Sequence, residues 1–463
     1  MLPTLSEFLQ TDLAAILTAT LCAITCAVLG TFLLLRRQAL MGDAISHAVL
    51  PGLAAAFILS QTRDPFPMFL GAAAAGVLTA VLSDLVRRYA RVEPGAAMGV
   101  VFSAMFALGV LLMSSPSMRL VDLDADCVLS GVLESITWLG DTRSGSQSPS
   151  TLASLFSPAV LAAAPRQLIT AAAVALLCVF AIAALFKELR ISSFDPALAH
   201  ALGFKPGWLN TALMILVALA CVAAFEAVGS ILVVAMLVCP PAAARMLTDS
   251  LRAQLLLSAL LAALAAVAGY FAAAFGPALL GWNMSVSAAG MISVFTGLIL
   301  AAAILLAPRH GVLVRRLRRL ALAIDIARED LLAMLYRLHE SRSANPLTIT
   351  HARAALGGGP IAALALQSAQ KRNHVSRSRS DLALTPQGHA IAQGLIRTHR
   401  LWELYLVEHL GHRPDHVHRT AMDLEHHTTP EIASILEASA PPTAGPAAPL
   451  DPHGKPIPRP PTA

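Results

Sequence analysis

The sequence predicts an all-α polytopic membrane bundle of about 8–9 transmembrane helices, followed by a soluble, mostly helical C-terminal region. Three observations predict it. Hydrophobic residues make up 56% of the 463 positions and charged residues 13%, too few to coat a soluble protein of this size. The apolar residues fall in runs of roughly 20, the length a bilayer core requires. Beyond Pro308 the pattern changes to amphipathic and charged.

The expected spans are 13–35, 44–60, 67–86, 97–114, 168–186, 209–228, 229–240, 253–275 and 284–307. Arg36 and Arg37, then Arg87, Arg88 and Arg91, then Lys187 and Arg190 follow the first, third and fifth; Arg245, Arg252 and the arginines between 309 and 319 follow the seventh and ninth. Positive residues mark cytoplasmic loops, which puts the N-terminus outside and the C-terminus inside and requires an odd number of crossings. For that reason 209–240 divides at Gly229 into two short crossings, a broken segment of the kind that lines a pathway; eight spans with a re-entrant piece is the alternative. The first twelve residues lack the positive region of a cleavable signal. Six cysteines, Cys22, Cys26, Cys127, Cys178, Cys221 and Cys239, lie mostly in apolar runs and read as small packing residues rather than a disulfide framework. The less apolar stretch from 115 to 167 falls outside, and Asp122, Asp124 and Asp126 in it read as a solvated acidic loop.

The second span opens RRQALMGDAISHAVLPG, with Asp43 and His47 four residues apart and so on one helix face. Ionisable residues at membrane depth face a bundle interior or a water-filled path, and a carboxylate beside an imidazole suits a divalent transition metal. The alternative is a helix-start carboxylate and an interhelical hydrogen bond. Glu226, just before Gly229, is the next intramembrane acid and a candidate for the same path, whereas Asp195 and His200 at a span end read as structural. CPPAAARMLTDSL reads as a short polar helix between two spans, with Pro240, Pro241, Arg245, Thr248 and Asp249 available to a partner; an ordinary loop is the alternative. The chain has four lysines and no G-x-x-x-x-G-K-[ST] loop, so it binds no nucleotide itself. Uphill transport would need a partner ATPase or an ion gradient.

RRQALMGDAISHAVLPGLAAAFIL, FDPALAHALGF and GSILVVAMLVCPPAAARMLTDSL resemble signature stretches of the permease subunits of zinc/manganese/iron-uptake ABC transporters, over roughly residues 10–308. The resemblance implies a pair of permease subunits, homo- or heterodimeric, two ABC ATPase subunits, and an extracytoplasmic solute-binding protein that delivers the ion. It also implies that Asp43 and His47 line the ion path, and it supports ATPase coupling at about 240–250.

Residues 309–320, RHGVLVRRLRRL, form a basic amphipathic helix suited to anionic membrane lipid. ALAIDIAREDLLAMLYRLHE has helical periodicity, LTITHARAALGG a capped helix with a glycine stop, and IAALALQSAQ an alanine-rich helix. A basic turn, KRNHVSRSRSD, then a short strand, LALT, complete the outline of a winged helix-turn-helix over 321–385. Two histidine-rich helices, about 386–412 and 414–438, follow, and the proline-rich tail, 441–463, is expected to be extended. His399 and Glu403 are i, i+4, as are Met422 and His426, with Glu425 beside the latter, so their faces can converge on an ion.

LTPQGHAIAQGLIRTHRLWELYLVEHLG, HVHRTAMDLEHH and LDPHGKPIP resemble the metal-binding and dimerisation domain of iron/manganese-dependent repressors. That resemblance implies one divalent metal site (Mn, Fe or Zn) at His399, Glu403 and His418 and another at Asp330, Met422, Glu425 and His426. Met422 stands where a cysteine or glutamate is usual, and Ala333 replaces an acid of the manganese-selective members. His409, His412, His416 and His427 read as solvated. The helix that would read bases is mostly alanine and leucine, so the winged helix is taken as degenerate and DNA as an improbable partner. The expectation is a permease with a fused cytoplasmic metal-binding domain that throttles transport; a membrane-tethered metal-dependent DNA-binding regulator and a gradient-driven carrier are the alternatives.

Overall fold

The computed structural model describes residues 5–39, 41–62, 64–114, 131–139, 149, 157–279, 281, 286–341, 347–378, 381–440 and 449–460. Asp122, Asp124, Asp126, Cys127, the Ser/Gly-rich patch and 441–448 lie outside the described residues. The chain divides into two compact units, Met1–Val314 and Arg315–Ala463.

In the first unit, nine helices among the described residues are long and apolar enough to cross a membrane. They are Leu13–Leu35, Met41–Ser60, Phe66–Ala90, Gly95–Met113, Arg166–Ala184, Pro206–Val228, Ser230–Leu247, Leu251–Leu279 and Ala288–Leu306, hereafter the first to ninth spans. Helices are what a lone apolar segment must form in lipid, because only they satisfy every backbone group internally. Gly229 has φ +80°, a conformation other residues resist, and it separates the sixth span from the seventh. The first, sixth and seventh spans make the centre: Leu29, Phe32 and Leu33, Leu213 and Val217, and Leu232 and Met236 are all buried there. Leu108, Leu176, Leu256 and Leu298, on the fourth, fifth, eighth and ninth spans, are exposed, as lipid-facing residues would be. Cys22, Cys26, Cys178, Cys221 and Cys239 are free thiols.

The seventh helix departs from expectation. It does not stop at the prolines but carries Pro240 and Pro241 inside it, both buried, and ends at Leu247. The separate short helix expected over 240–250 is therefore the last turns of a span, followed by a turn at Thr248 and Asp249. Two short helices, Phe186–Phe194 and Pro196–Ala201, join the fifth and sixth spans, the second capped by Asp195, whose Oδ1 accepts the Leu198 N–H at 2.9 Å.

In the second unit, Val312–Glu340 is one helix, continuous with the basic segment that was expected to be separate. Its Leu331, Leu332 and Leu335 are buried against Ala352, Leu366, Val375 and Leu382. Strand β1 (Leu347–Thr348), helices Ile349–Ala355 and Gly359–Lys371, and strands β2 (Val375–Ser378) and β3 (Asp381–Leu384) follow. The sheet is antiparallel in the order β1-β3-β2, with Leu347 opposite Leu382 and Val375 opposite Leu384. Thr385 caps Pro386–Glu408 through the Gly388 N–H at 3.0 Å. The helix expected over 414–438 is two, His418–Glu425 and Pro430–Ser439, because Thr429 caps a new start ahead of Pro430.

The end of the chain is also not simply extended. Ile457 is buried with Leu401, Leu404 and Leu436, and the Arg397 and Arg400 guanidiniums donate to the Pro458 and Pro456 carbonyls, each at 2.6 Å.

Candidate metal centres

Asp43 and His47 occupy the first and last turns of Met41–Ala48, before a break at Val49 and Pro51, a residue with no N–H to donate. His47 Nε2 is 3.8 Å from Asp43 Oδ1, and the side chains are 38% and 57% exposed in the single chain. The His47 ring lies against Phe102 and Phe106 of the fourth span, at 5.5 and 6.1 Å between centroids. The pair is thus one face, with an oxygen and a nitrogen donor in reach of each other.

Glu226 lies near the end of the sixth span and faces Arg166 at 3.5 Å. It falls about 7.5 Å along the helix axis beyond Cys221, whose thiol lies against Gly42, the neighbour of Asp43. Of the expected coupling residues, Pro240 and Pro241 are buried, while Arg245 and Asp249 are exposed. Asp249 pairs with Arg309 at 3.0 Å and His310 at 3.5 Å, and the Arg309 bond holds its carboxyl below the usual range.

Sequence reasoning read the loop arginines as orientation signals only and missed a polar network. Asp84, buried in the third span, accepts from Arg87 at 2.8 Å, Asn210 at 3.2 Å and Thr211 at 2.8 Å, and pairs with Arg88. Arg36 donates to Ser193 at 3.0 Å, Ser192 at 2.9 Å and Asn210 at 3.1 Å. An acid one turn ahead of two arginines was the available signal.

In the second unit the predicted residues do assemble. Glu403 lies one turn after His399 on Pro386–Glu408, and His418 opens the next helix. Glu403 Oε1 is 3.1 Å from His399 Nε2 and 2.9 Å from His418 Nδ1, and those nitrogens are 3.0 Å apart. His399 and Glu403 are buried and His418 is half exposed. Burial pushes the Glu403 carboxyl up, but the bonds to His399 and His418 outweigh it and hold it at about 2. Burial pushes His399 down, and the bonds to Glu403 and Glu425 outweigh that, leaving it raised.

Asp330, Glu425 and His426 form a second cluster. His426 Nε2 is 3.3 Å from Asp330 Oδ1 and 3.7 Å from Glu425 Oε1. Its Nδ1 donates to Glu329 at 2.8 Å, a partner the sequence reading missed although it adjoins Asp330. The bonds to Asp330 and Glu329 push His426 up to about 10. Met422 lines the adjoining cavity of about 580 Å³ with Asp330, Ala333, Arg337 and Glu425, so that Ala333 adds a methyl group beside those two carboxylates and not a third one. His409, His412, His416 and His427 are exposed.

Both clusters fit a divalent ion: each converges three nitrogen and oxygen donors within 4.8 Å, each includes buried carboxylate, and the set suits Mn, Fe or Zn.

The family model for the ABC 3 transport family matches residues 7–137 and 142–307. That for the iron dependent repressor metal-binding and dimerisation domain matches 385–459. The manganese transport system membrane protein MntD of Bacillus subtilis is 39% identical over 305 residues, 66% of this chain and 95% of that protein. The zinc transport system membrane protein TroD of Treponema pallidum is 36% identical over 380 residues, 82% of this chain and 97% of that protein. Among solved structures, PsaBC from Streptococcus pneumoniae in complex with Fab is similar at a TM-score of 0.50 and 29% identity, covering 66% of this chain and 95% of that one. The chain belongs to the ABC 3 transport family and continues into an iron-dependent-repressor metal-binding and dimerisation domain.

Proposed function

We propose that this chain is the membrane-spanning permease subunit of an ATP-driven importer of Mn²⁺, Zn²⁺ or Fe²⁺, with a cytoplasmic domain that binds the same class of ion and regulates transport. The observation that carries the reading is likeness over almost the whole length of one manganese and one zinc transport membrane protein. Asp43 and His47 replace part of the hydration shell of the ion as it passes. Their exposure in the single chain suits a path completed by a second permease subunit, identical or not. Glu226, paired to Arg166 near the end of the sixth span, adds a carboxylate further along the same path.

ATP hydrolysis belongs to a separate ABC ATPase subunit, and an extracytoplasmic solute-binding protein delivers the ion. Nine helices of membrane-crossing length among the described residues, with arginines on alternate loops, support an outside N-terminus and a cytoplasmic C-terminal domain. The ATPase meets Arg245, Thr248 and Asp249 at the end of the seventh span, together with exposed Phe194, Leu198 and Leu202 on the short helices between the fifth and sixth spans. Pro240 and Pro241, being buried, shape that end without touching the partner. The basic start of Val312–Glu340 rests on anionic lipid.

Asp330, Met422, Glu425 and His426, and separately His399, Glu403 and His418, hold metal and throttle import as cytoplasmic metal rises. Regulation through DNA is the weaker reading. The winged-helix-like part presents Ile361 and Leu364 on the helix that would enter a major groove. ATP-dependent uptake of radioactive Mn²⁺ and Zn²⁺ by the permease reconstituted with its ATPase tests the proposal. Asp43→Ala/His47→Ala should abolish uptake, and uptake at the native rate removes the path. Replacing His399, Glu425 and His426 by Ala should remove inhibition by metal on the ATPase side; an unchanged inhibition curve removes the throttle.

A further inference from the structure

The turn from the first span into the second is gripped by one guanidinium. Arg36 closes the first span, and Arg37 follows at φ +58°, a left-handed conformation unusual for a residue with a side chain. The Gln38 N–H bonds back to the Leu33 carbonyl at 2.8 Å, and the Met41 N–H bonds to the Gln38 carbonyl at 3.1 Å. Met41 opens the helix that carries Asp43 and His47, so the turn is hydrogen-bonded from the end of one helix to the start of the next. A displacement of Arg36 is therefore passed on to the Asp43–His47 face rather than absorbed by slack chain.

All three nitrogens of that guanidinium are engaged: Nε with Ser193 Oγ at 3.0 Å, Nη2 with Ser192 Oγ at 2.9 Å and Nη1 with Asn210 Oδ1 at 3.1 Å. The two hydroxyls belong to Phe186–Phe194. Each gives its proton to the Leu189 carbonyl, at 3.3 Å from Ser192 and 2.6 Å from Ser193, which leaves its lone pairs to Arg36. Asn210 of the sixth span is oriented in the same way, because its Nδ2 donates to Asp84 Oδ1 at 3.2 Å. A planar fork meeting three fixed oxygens is a geometry that arginine fills and lysine does not. On its other side the short-helix pair leaves Phe194, Leu198 and Leu202 exposed, while Leu189 is buried in the bundle. The pair thus offers a partner an apolar surface and is held from within by Arg36.

We propose that Arg36 is the positioning residue that couples the ATPase to the ion path. It ties Ser192 and Ser193 to the turn that opens the Asp43–His47 helix, so that a displacement of the 186–201 helices by the ATPase turns the face that handles the ion. The inference rests on the reading of this chain as an ATP-driven permease. Asn210 and Asp84 supply the fixed side of the lever, since they anchor the same guanidinium to the sixth and third spans.

The test uses the full chain assembled with its ATPase in lipid vesicles, with radioactive Mn²⁺ and Zn²⁺ as probes, and reads ions imported per ATP hydrolysed. Arg36→Lys and, as a milder change, Ser192→Ala/Ser193→Ala are compared with the native chain. A hydrogen bond lost from a charged group shifts an equilibrium about tenfold or more, so the ratio should fall by about that factor while hydrolysis continues. Hydrolysis and import that fall together, leaving the ratio native, overturn the proposal, because a residue that only holds the fold would do the same. A second readout separates lost coupling from a damaged path. Ala44→Cys, beside Asp43, is alkylated by a water-soluble maleimide with and without ATP and vanadate, and modification at that position is read by peptide mass. Trapping should change the rate about tenfold when Arg36, Ser192 and Ser193 are in place, and should leave it unchanged in either variant. An equal change in the variants overturns the proposal, as does no change in an Ala44→Cys complex that still imports metal. If the native complex imports neither ion with ATP, the underlying reading fails instead.

Discussion

His399 Nδ1 donates to Glu425 Oε2 at 2.5 Å, while the opposite edge of the same carboxylate faces His426. One residue thus orients a ligand of one candidate centre and belongs to the other. With Nδ1 carrying the proton, the Nε2 lone pair of His399 is left for an ion, and a carboxylate in that position raises ligand basicity. Glu425→Gln should therefore weaken both centres at once, about 10–100-fold at the His399 centre through lost orientation. Titration of the full-length protein with Mn²⁺ and with Co²⁺ reads this. A variant that loses affinity at the His426 centre alone would separate the two sites.

The protonation of these groups sets a pH dependence. Metal takes a neutral imidazole, yet the Asp330 and Glu329 bonds keep His426 protonated up to about 10 in the metal-free protein. Binding there must release that proton, so affinity rises with pH through the neutral range. Glu403, held at about 2, is already ionised and adds nothing to that slope. Calorimetric titrations in buffers of different ionisation enthalpy should give close to one proton released per ion at the His426 centre, and heats that do not depend on the buffer would contradict the assignment. Without metal the linkage runs the other way. The stabilisation from His426 is complete below its unfolded value of 6.5 and is lost as pH rises through about 10. That from Glu403 is complete above 4.5 and is lost as pH falls through about 2. Protection factors over the two metal-binding helices, which divide out the base-catalysed intrinsic exchange rate, should accordingly be highest between those unfolded values, 4.5 and 6.5.

Much of this was legible because lipid leaves the chain few choices. A run of apolar residues must be helical, and Gly229 between two such runs marks the break that its positive φ bears out. The His399–Glu403 and Met422–His426 spacings also declare a shared face, since they depend only on helical periodicity. What stayed hidden depends on partners remote in sequence. Leu347 and Thr348 are a strand only because Leu382 and Asp381 lie opposite them. Ile457 is the apolar anchor of a proline-rich stretch whose composition reads as unstructured, and its pocket is made by Leu401, Leu404 and Leu436. Arg36 and Arg87 were visible as charges, but nothing local indicates that Asn210, more than a hundred residues on, links them through Asp84.

That link makes Asp84 a test of the membrane unit. Removing one member of a buried charged network leaves the others unpaired and costs about 3–5 kcal/mol. Asp84→Ala should lower the melting temperature of the detergent-solubilised protein sharply, with Asp84→Asn intermediate because an amide can still accept from Asn210 and Thr211. Asp249→Ala, which removes an exposed carboxylate from Arg309 and His310, should leave the melting temperature where it was. Equal melting of Asp84→Ala and the native chain would mean that the network does not hold the bundle.

The prolines of the seventh span lead to the last prediction. Pro241 has no N–H, so the Leu237 carbonyl one turn earlier is left without its helical donor. That carbonyl faces Gly30 of the first span, where a Cβ would collide with the Leu237 backbone. The two helices therefore meet closely where one has a freed carbonyl and the other has no side chain, an arrangement in which the glycine Cα–H can approach the oxygen. Gly30→Ala puts a methyl against backbone rather than against a side chain that could swing away, so the spans must separate. Overpacking of this kind costs about 1–3 kcal/mol, and here it strikes the centre of the bundle. The expected outcome is reduced assembly with the ATPase and a lower melting temperature, whereas Gly95→Ala, with open space around its Cβ position, should behave as the native chain. Native melting and native assembly of Gly30→Ala would show that the first and seventh spans do not rely on this crossing.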